Sequence, residues 1–274
     1  MKIGIGTYAL FWEFSDRNPE PLGIAGMIDR AAQLGCDVFQ ICDDPRIEEL
    51  DAHALRELRE RAEILGLDLE LGTRTIGRDH LARYLDIAET LGARTLRTMI
   101  QTHEIDAGPE SAVTELRATV PRVESGDITL ALETYEQVPT ATLRGIVDAL
   151  DSPRVGICLD PANCVSALEH PKDVVESCAD RTVNLHVKDF AFARQEGWVG
   201  FTYSGAPLGE GLLDLDHELG AVYADGRSPS AIVEHWLPWQ GDLSTTLAEE
   251  RAWTDRTLAA LRDWRSVHRP PASA

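Results

Sequence analysis

The chain has 274 residues, of which 43% are hydrophobic and 26% charged, a composition typical of a globular protein rather than a disordered one. Its 46 acidic and 26 basic side chains give a formal charge of −20, which disfavours nucleic acid as a partner because phosphate backbones are repelled. No apolar run approaches the roughly 20 residues of a membrane span, and the first residues lack a signal-peptide pattern. We therefore expect a cytoplasmic protein with no membrane partner.

Short β-rich runs alternate with amphipathic helical patterns along the whole chain. Apolar residues in the helical runs recur at i, i+3 and i+4, and several runs end at a glycine, such as Gly66 and Gly92. The predicted strands are 2–8, 37–43, 68–74, 94–100, 127–135, 155–160, 182–190 and 231–236.

Eight strands, each followed by a helix, indicate the α/β class and a single-domain (β/α)8 TIM barrel over residues 1–274, with a frayed tail at 268–274. An open doubly wound sheet is the alternative. The first strand-to-helix turn, GIGTYALFW, has no GxGxxG and no acidic residue spaced to bind a ribose, which argues against that alternative.

Four polar residues stand at the C-terminal ends of four consecutive predicted strands, where a barrel of this type carries its chemistry. They are Glu133, Asp160, His186 and Glu234. The first three are one β/α unit apart, and the last follows a unit lengthened by a long loop over residues 190–211. We therefore expect all four side chains at the same mouth of the barrel.

Each of these residues lies among apolar neighbours, so each side chain must be paired or must coordinate something. Taken singly, each is more often a cap or a satisfied core residue than a ligand. Together, three carboxylates around one imidazole repel one another unless a cation lies between them. Oxygen-rich ligands of this kind favour one divalent ion, Mn²⁺ or Mg²⁺ before Zn²⁺.

The chain resembles the xylose isomerase-like TIM barrel superfamily, which contains sugar isomerases and epimerases. The motifs that carry the resemblance, in order, are LALETY, GICLDPAN, NLHVKDF, PLGEGLLD and IVEHW, and the resemblance covers essentially the whole chain. The resemblance implies that Glu133, Asp160, His186 and Glu234 ligate the metal and that Glu133 and Glu234 also act as the acid/base pair. Many epimerases of this superfamily have a histidine where this chain has Asn163, which we assign to substrate binding.

Other residues near the same strand ends are candidates for contact with substrate. Lys188 lies two residues after His186 on one strand, so both side chains face the barrel interior. It could hold a substrate anion as a catalytic residue, or merely pair with a carboxylate. Arg97 in the fourth strand could bind an anion through its guanidinium group. The aromatic side chains predicted to form substrate walls are Trp12, Trp198 and Trp236.

Such a site predicts enolisation of a small carbohydrate substrate. The leading hypothesis is a metal-dependent isomerase or epimerase of a ketose or related keto-polyol. The alternative is a lyase on the same metal-enolate chemistry, which decarboxylates or dehydrates a keto sugar acid or keto-inositol; the opening GTYALFW loosely resembles 3-oxo-isoapionate decarboxylases. A DNA-repair endonuclease on this barrel would need a basic groove. A non-catalytic binding protein and a homo-oligomer both stay open.

Overall fold

The structure, a computed structural model, describes residues 1–195, 197 and 199–268. Within them, eight parallel strands close into a barrel in the order β1-β10-β7-β6-β5-β4-β3-β2. The barrel strands are β1 Ile3–Gly6, β2 Val38–Cys42, β3 Asp68–Gly72, β4 Thr95–Thr98, β5 Thr129–Glu133, β6 Val155–Leu159, β7 Thr182–Val187 and β10 Ser230–Val233. The predicted barrel is confirmed, and the open sheet is excluded because β1 pairs with both β2 and β10.

Helices connect the strands and pack their apolar faces on the outside of the barrel. Helices α3 and α4 end where predicted, at Gly66 and Gly92, because both glycines take the left-handed conformation that stops a helix. The helices are α1 Phe11–Phe14, α2 Ile24–Gln33, α3 Ala52–Leu65, α4 Arg78–Leu91, α5 Pro109–Arg117, α6 Val120–Ser125, α7 Thr140–Leu150, α8 Pro161–Cys164, α9 Pro171–Cys178, α10 Leu215–Val222 and α11 Leu243–Val267.

The seventh predicted strand, 182–190, ends earlier than expected. Strand β7 stops at Val187, and Phe190 begins a separate strand, β8 Phe190–Arg194, which pairs antiparallel with β9 Phe201–Gly205. Much of the stretch that the sequence indicates as a loop is therefore a hairpin. Aromatic side chains hold it together, since Phe190 and Phe192 lie 5.6 and 4.9 Å from Tyr203, measured between ring centroids.

Strand alternation separates the core from the barrel interior. Leu185 and Val187 of β7 belong to the hydrophobic core between barrel and helices. His186 faces inward instead and is fully buried. No helix among the described residues is long and apolar enough to cross a membrane. Residues 269–274, most of the tail predicted to be frayed, lie outside the described part of the chain, and the extent of one domain over 1–274 stays a prediction.

Candidate metal centre

The four predicted ligands converge at the C-terminal mouth of the barrel. Strands β5, β6, β7 and β10 are consecutive neighbours in the closed sheet. Glu133 is the last residue of β5, Asp160 and Glu234 directly follow β6 and β10, and His186 lies in β7. The His186 Nδ1 atom lies 3.6 Å from Glu133 Oε1, 3.6 Å from Asp160 Oδ2 and 3.4 Å from Glu234 Oε2. All four side chains are buried.

The unpaired atoms of this cluster fit a divalent cation. Among the residues that the structure describes, His186 Nδ1 and Glu234 Oε1 are buried without a hydrogen-bond partner, although buried polar atoms are normally satisfied. One ligand atom from each of Asp160, His186 and Glu234 lies within 4.8 Å of the others. Three carboxylates with one imidazole form a donor set for Mg²⁺, Mn²⁺ or Zn²⁺. The residues present therefore suit the predicted ion.

Lys188 is buried beside the cluster, facing the substrate cavity, and pairs with two of its carboxylates. Its Nζ atom lies 2.7 Å from Asp160 Oδ2 and 3.3 Å from Glu234 Oε2, and it donates a hydrogen bond to Asn163 Oδ1. The same ammonium lies 4.2 Å from the ring centroid of Trp236, a cation–π contact. Burial lowers the pKa of Lys188, but the charges of Asp160 and Glu234 raise it by more, so the group stays protonated.

Arg97 forms an ion pair with Glu133, one of the four predicted ligands. Its guanidinium is buried, its Nε forms an ion pair with Glu133 Oε2, and its Nη1 lies 3.0 Å from Asp43 Oδ1. Asp43 in turn lies 3.2 Å from Arg74 Nε and accepts a hydrogen bond from the Tyr8 hydroxyl. A chain of alternating charges therefore runs from the mouth of the barrel down to Glu133.

Asp43 is a site residue that the sequence analysis missed. It follows β2 directly, in the run ICDD, at the same barrel mouth as the predicted ligands. The feature of the sequence that could have identified Asp43 is its position directly after a buried strand. Its backbone has a φ of 53°, a left-handed conformation that is uncommon outside glycine, asparagine and aspartate. Such conformations cluster at functional sites.

The ionisation of the cluster follows from these pairs. Burial raises the pKa of the Glu133 carboxyl, but the charges of Arg97 and His186 outweigh burial and place that pKa below its ordinary value. For Asp160, burial is likewise outweighed by Lys188 and His186, and its pKa falls to about 2. Burial lowers the pKa of His186, but the charges of Glu234 and Glu133 raise it well above the ordinary value. Glu133 and Asp160 are therefore anionic, and His186 holds a proton on Nδ1 that an incoming cation must displace.

Two other buried residues beside the cluster have different roles. Cys158 Sγ donates a hydrogen bond to Asn184 Oδ1, and burial raises the pKa of this thiol to about 11, so it does not offer a thiolate. His235 follows Glu234 but faces the opposite side, where it contacts Thr254 Oγ1 of α11 at 3.2 Å. Burial lowers the pKa of His235 to about 3 and keeps it neutral.

A cavity of about 230 Å³ opens above the cluster. Its lining includes Asn163 and Trp236 from the predicted substrate residues, together with Arg97 and Lys188. Asn163 Nδ2 donates to Glu133 Oε1 at 2.7 Å, so its side chain bridges that glutamate and Lys188.

Trp12 is placed differently from the other predicted substrate residues. It lines an adjoining cavity of about 270 Å³, donates its Nε1 proton to Leu237 O and packs on Trp239. Its role at the substrate, like that of the other residues, stays a prediction. Trp198 lies outside the described residues.

Comparison with known proteins identifies the family of this barrel. A family model described as a xylose isomerase-like TIM barrel matches residues 28–264. The chain is 52% identical over 258 residues, 94% of its own length and 94% of the relative's, to a 3-oxo-isoapionate decarboxylase of Pectobacterium atrosepticum.

Solved structures show the same fold at low sequence identity. A D-psicose 3-epimerase crystallised in the presence of D-fructose superposes with a TM-score of 0.73 at 16% identity, covering 97% of this chain and 99% of that one. A xylose isomerase-like TIM barrel protein from Mycobacterium smegmatis, in complex with magnesium, gives 0.70 at 18% identity, covering 94% and 97%. By sequence and by fold, the chain belongs to the xylose isomerase-like TIM barrel family.

Proposed function

We propose that the protein is a divalent-metal-dependent lyase that decarboxylates a 3-oxo sugar acid. Mg²⁺ or Mn²⁺ suits the oxygen-rich ligand set formed by Glu133, Asp160, His186 and Glu234, and the Mycobacterium smegmatis relative binds magnesium. The decarboxylase relative from Pectobacterium favours this reaction over the isomerase or epimerase that the sequence analysis ranked first. Both reactions pass through an enolate, so the same site chemistry serves either.

The choice of a lyase over an epimerase rests on a difference in the hydrogen bonds and ion pairs made by Glu133 and Glu234. Glu133 is held as an anion by the Arg97 guanidinium and by the Asn163 amide. Both oxygens of Glu133 thus have a partner, because Arg97 pairs with Oε2 and Asn163 donates to Oε1. Glu234 has a partner at Oε2 only, the Lys188 ammonium at 3.3 Å, and its Oε1 has neither a hydrogen bond nor an ion pair among the described residues. An epimerase needs two groups that exchange protons on opposite faces of the substrate, whereas a decarboxylase needs a single proton donor after CO₂ leaves. This pair of glutamates suits the second requirement better.

Charge balance also supports a cation and an anionic substrate together. With His186 neutral, as it must be when it ligates an ion, the buried side chains of Asp43, Glu133, Asp160 and Glu234 contribute four negative charges, and Arg97 and Lys188 contribute two positive charges, which gives 2 − 4 = −2. A divalent ion would neutralise this difference. The Arg74 side chain, 57% exposed at the cavity mouth, then remains as a cation on the approach path of a carboxylate.

The reaction would proceed by cleavage of the bond between the carboxyl carbon and the adjacent carbon of the substrate. The electron pair of that bond moves onto the neighbouring keto group, CO₂ departs, and an enolate remains. When bound, the metal ion supplies Lewis-acid stabilisation of the negative oxygen. Lys188 contributes a fixed positive charge beside it. Glu234, an anion at rest, takes one proton from solvent and passes it to the carbon that lost CO₂, which converts the enolate into a ketone.

The test is a product assay on protein stripped with a chelator and reloaded with Mn²⁺. With a 3-oxo sugar acid in deuterated water, we expect CO₂ and ketone in equal amounts, with one deuterium at the carbon that lost CO₂. The substitution Glu234→Gln should lower kcat by about 10²- to 10⁴-fold, while Glu60→Gln, on the exposed face of α3, should leave kcat unchanged. Deuterium exchange into ketoses without CO₂ release from any acid would contradict a lyase and favour the isomerase.

A further inference from the structure

A layer of polar side chains fills the barrel interior directly beneath the metal centre. It consists of Gln40, Glu70, Asn184 and Ser230, contributed by four strands and all buried. The interior of a (β/α)8 barrel is usually filled by branched apolar residues. Buried polar groups cost free energy unless each is hydrogen-bonded, so the pattern of bonds in this layer requires an explanation.

Every bond in the layer has a direction fixed by Glu70. Glu70 Oε1 accepts from the Ser230 hydroxyl, and Glu70 Oε2 accepts from Gln40 Nε2 at 3.0 Å and from Asn184 Nδ2 at 2.9 Å. Burial raises the pKa of Glu70, and these three hydrogen bonds oppose that rise because they favour the carboxylate, which only accepts. Gln40 Nε2 also donates to Asn184 Oδ1 at 3.0 Å. Rotating either amide by 180° would bring two acceptors together, so neither amide can reverse.

The fixed amide of Gln40 determines the state of His186. With Nε2 committed to Glu70 and Asn184, the Gln40 oxygen Oε1 lies 2.9 Å from His186 Nε2. Oε1 can only accept, so His186 Nε2 must carry a proton. A neutral imidazole protonated at Nε2 presents its lone pair at Nδ1, the atom that faces Glu133, Asp160 and Glu234.

We propose that Glu70 and Gln40 are positioning residues that hold His186 in the tautomer whose Nδ1 ligates the metal ion. The inference rests on the proposed function, because it assumes that the cluster binds a cation. Partners that orient the second nitrogen of a ligating histidine commonly affect metal affinity by about 10- to 100-fold. Here the orientation is set two side chains away from the ion, by a carboxylate that does not contact His186.

The neutral replacement Glu70→Gln tests the role of the charge. A glutamine at position 70 offers a donor as well as an acceptor, so Gln40 and Asn184 can reverse together, which turns the Gln40 amide nitrogen toward His186. The imidazole would then shift its proton to Nδ1 and oppose metal binding. We expect Glu70→Gln and Gln40→Met to weaken Mn²⁺ binding, measured by equilibrium dialysis, by about 10- to 100-fold. Glu218→Gln, another buried glutamate replaced by its amide, is the matched control and should bind as the wild type does.

Nitrogen-15 NMR of histidine-labelled protein separates a tautomer effect from loss of packing. In the wild type loaded with diamagnetic Zn²⁺, the His186 proton should be on Nε2, and in metal-free Glu70→Gln at high pH a proton should be detected on Nδ1. A proton on Nδ1 rather than Nε2 in the Zn²⁺-loaded wild type, or in the neutral imidazole of the metal-free wild type at high pH, would overturn the inference without any variant. Equal Mn²⁺ affinity in Glu70→Gln and the control would also overturn it. Wild type that binds no Mn²⁺ would instead contradict the proposed function, and the tautomer of the metal-free wild type at high pH, where the imidazole is neutral, would still test the role of Gln40.

Discussion

Lys188 Nζ lies 2.7 Å from Oδ2 of Asp160, so a buried ammonium forms a direct ion pair with a proposed metal ligand. Both side chains are almost completely buried. Lys188 also approaches Glu234 Oε2 at 3.3 Å and the face of Trp236. The Lys188 ammonium and an incoming metal cation are therefore attracted to the same two carboxylates, those of Asp160 and Glu234. Lys188 partly neutralises these two negative charges from the side of the substrate cavity.

Replacing Lys188 with methionine should separate catalysis from metal binding. We expect kcat to fall by about 10²- to 10³-fold, because a preorganised positive charge beside the enolate is lost. Mn²⁺ affinity should hold or rise, since the carboxylates become less neutralised. Steady-state kinetics and Mn²⁺ titration measure the two effects. Lys172→Met removes a lysine from an exposed pair with Asp214 and serves as the control; a parallel loss of metal affinity in Lys188→Met would contradict this role.

Arg97 should be essential for stability as well as for the site. Arg97→Met leaves Glu133 and Asp43 as buried carboxylates without their shared partner, which should lower the free energy of unfolding by about 3–5 kcal/mol. Urea denaturation measures this loss. The control is Arg94→Met, which breaks an exposed pair with Asp127 and should cost no more than about 1 kcal/mol. Equal losses in the free energy of unfolding of the two variants would show that the buried ion pairs of Arg97 stabilise the fold no more than an exposed pair does.

Metal binding should stabilise the fold and release a proton. At a free Mn²⁺ concentration 100 times the dissociation constant, we expect about 2.7 kcal/mol of added stability, seen as a rise in the melting temperature. Carboxylates raise the pKa of His186 well above its ordinary value, so its Nδ1 proton must leave when the ion binds, and affinity should weaken as the pH falls.

Calorimetric titration in buffers of different ionisation enthalpy counts the proton released on metal binding. His235→Gln is a suitable control, because His235 is neutral and faces away from the cluster. Binding that releases no proton at neutral pH would contradict the assigned state of His186.

The buried carboxyl group of Glu218 should make the free energy of unfolding depend on pH. It lies on α10 with both carboxyl oxygens buried and without a hydrogen bond among the described residues. Burial, aided by the charges of Asp160 and Asp189, raises its pKa well above the ordinary value. The folded state therefore keeps a proton that the unfolded chain loses above a pH of about 4.3. Stability is thus lost as the pH rises, by up to about 1.4 kcal/mol per unit.

Glu218→Gln should remove that dependence. The variant and the wild type should be nearly equal in stability at pH 4, and the variant should become progressively more stable toward pH 7. Urea denaturation at a series of pH values measures the gap. Glu60→Gln, exposed on α3, should show no such trend, and a constant gap between Glu218→Gln and wild type would refute the buried-proton explanation.

The sequence by itself determined the barrel and the positions of the four candidate ligands. Hydrophobic periodicity and glycine stops depend on neighbouring residues, and strand alternation fixes which side chains face inward. The tertiary structure alone decided which side chains meet across the barrel. The clamp of Arg97 on Glu133, the contribution of Asp43 and the contact between Gln40 and His186 join strands far apart in the chain, and no local pattern encodes them. The physical reason is that closure of the barrel sets these distances, and hydrogen-bond direction and ion pairing then depend on them.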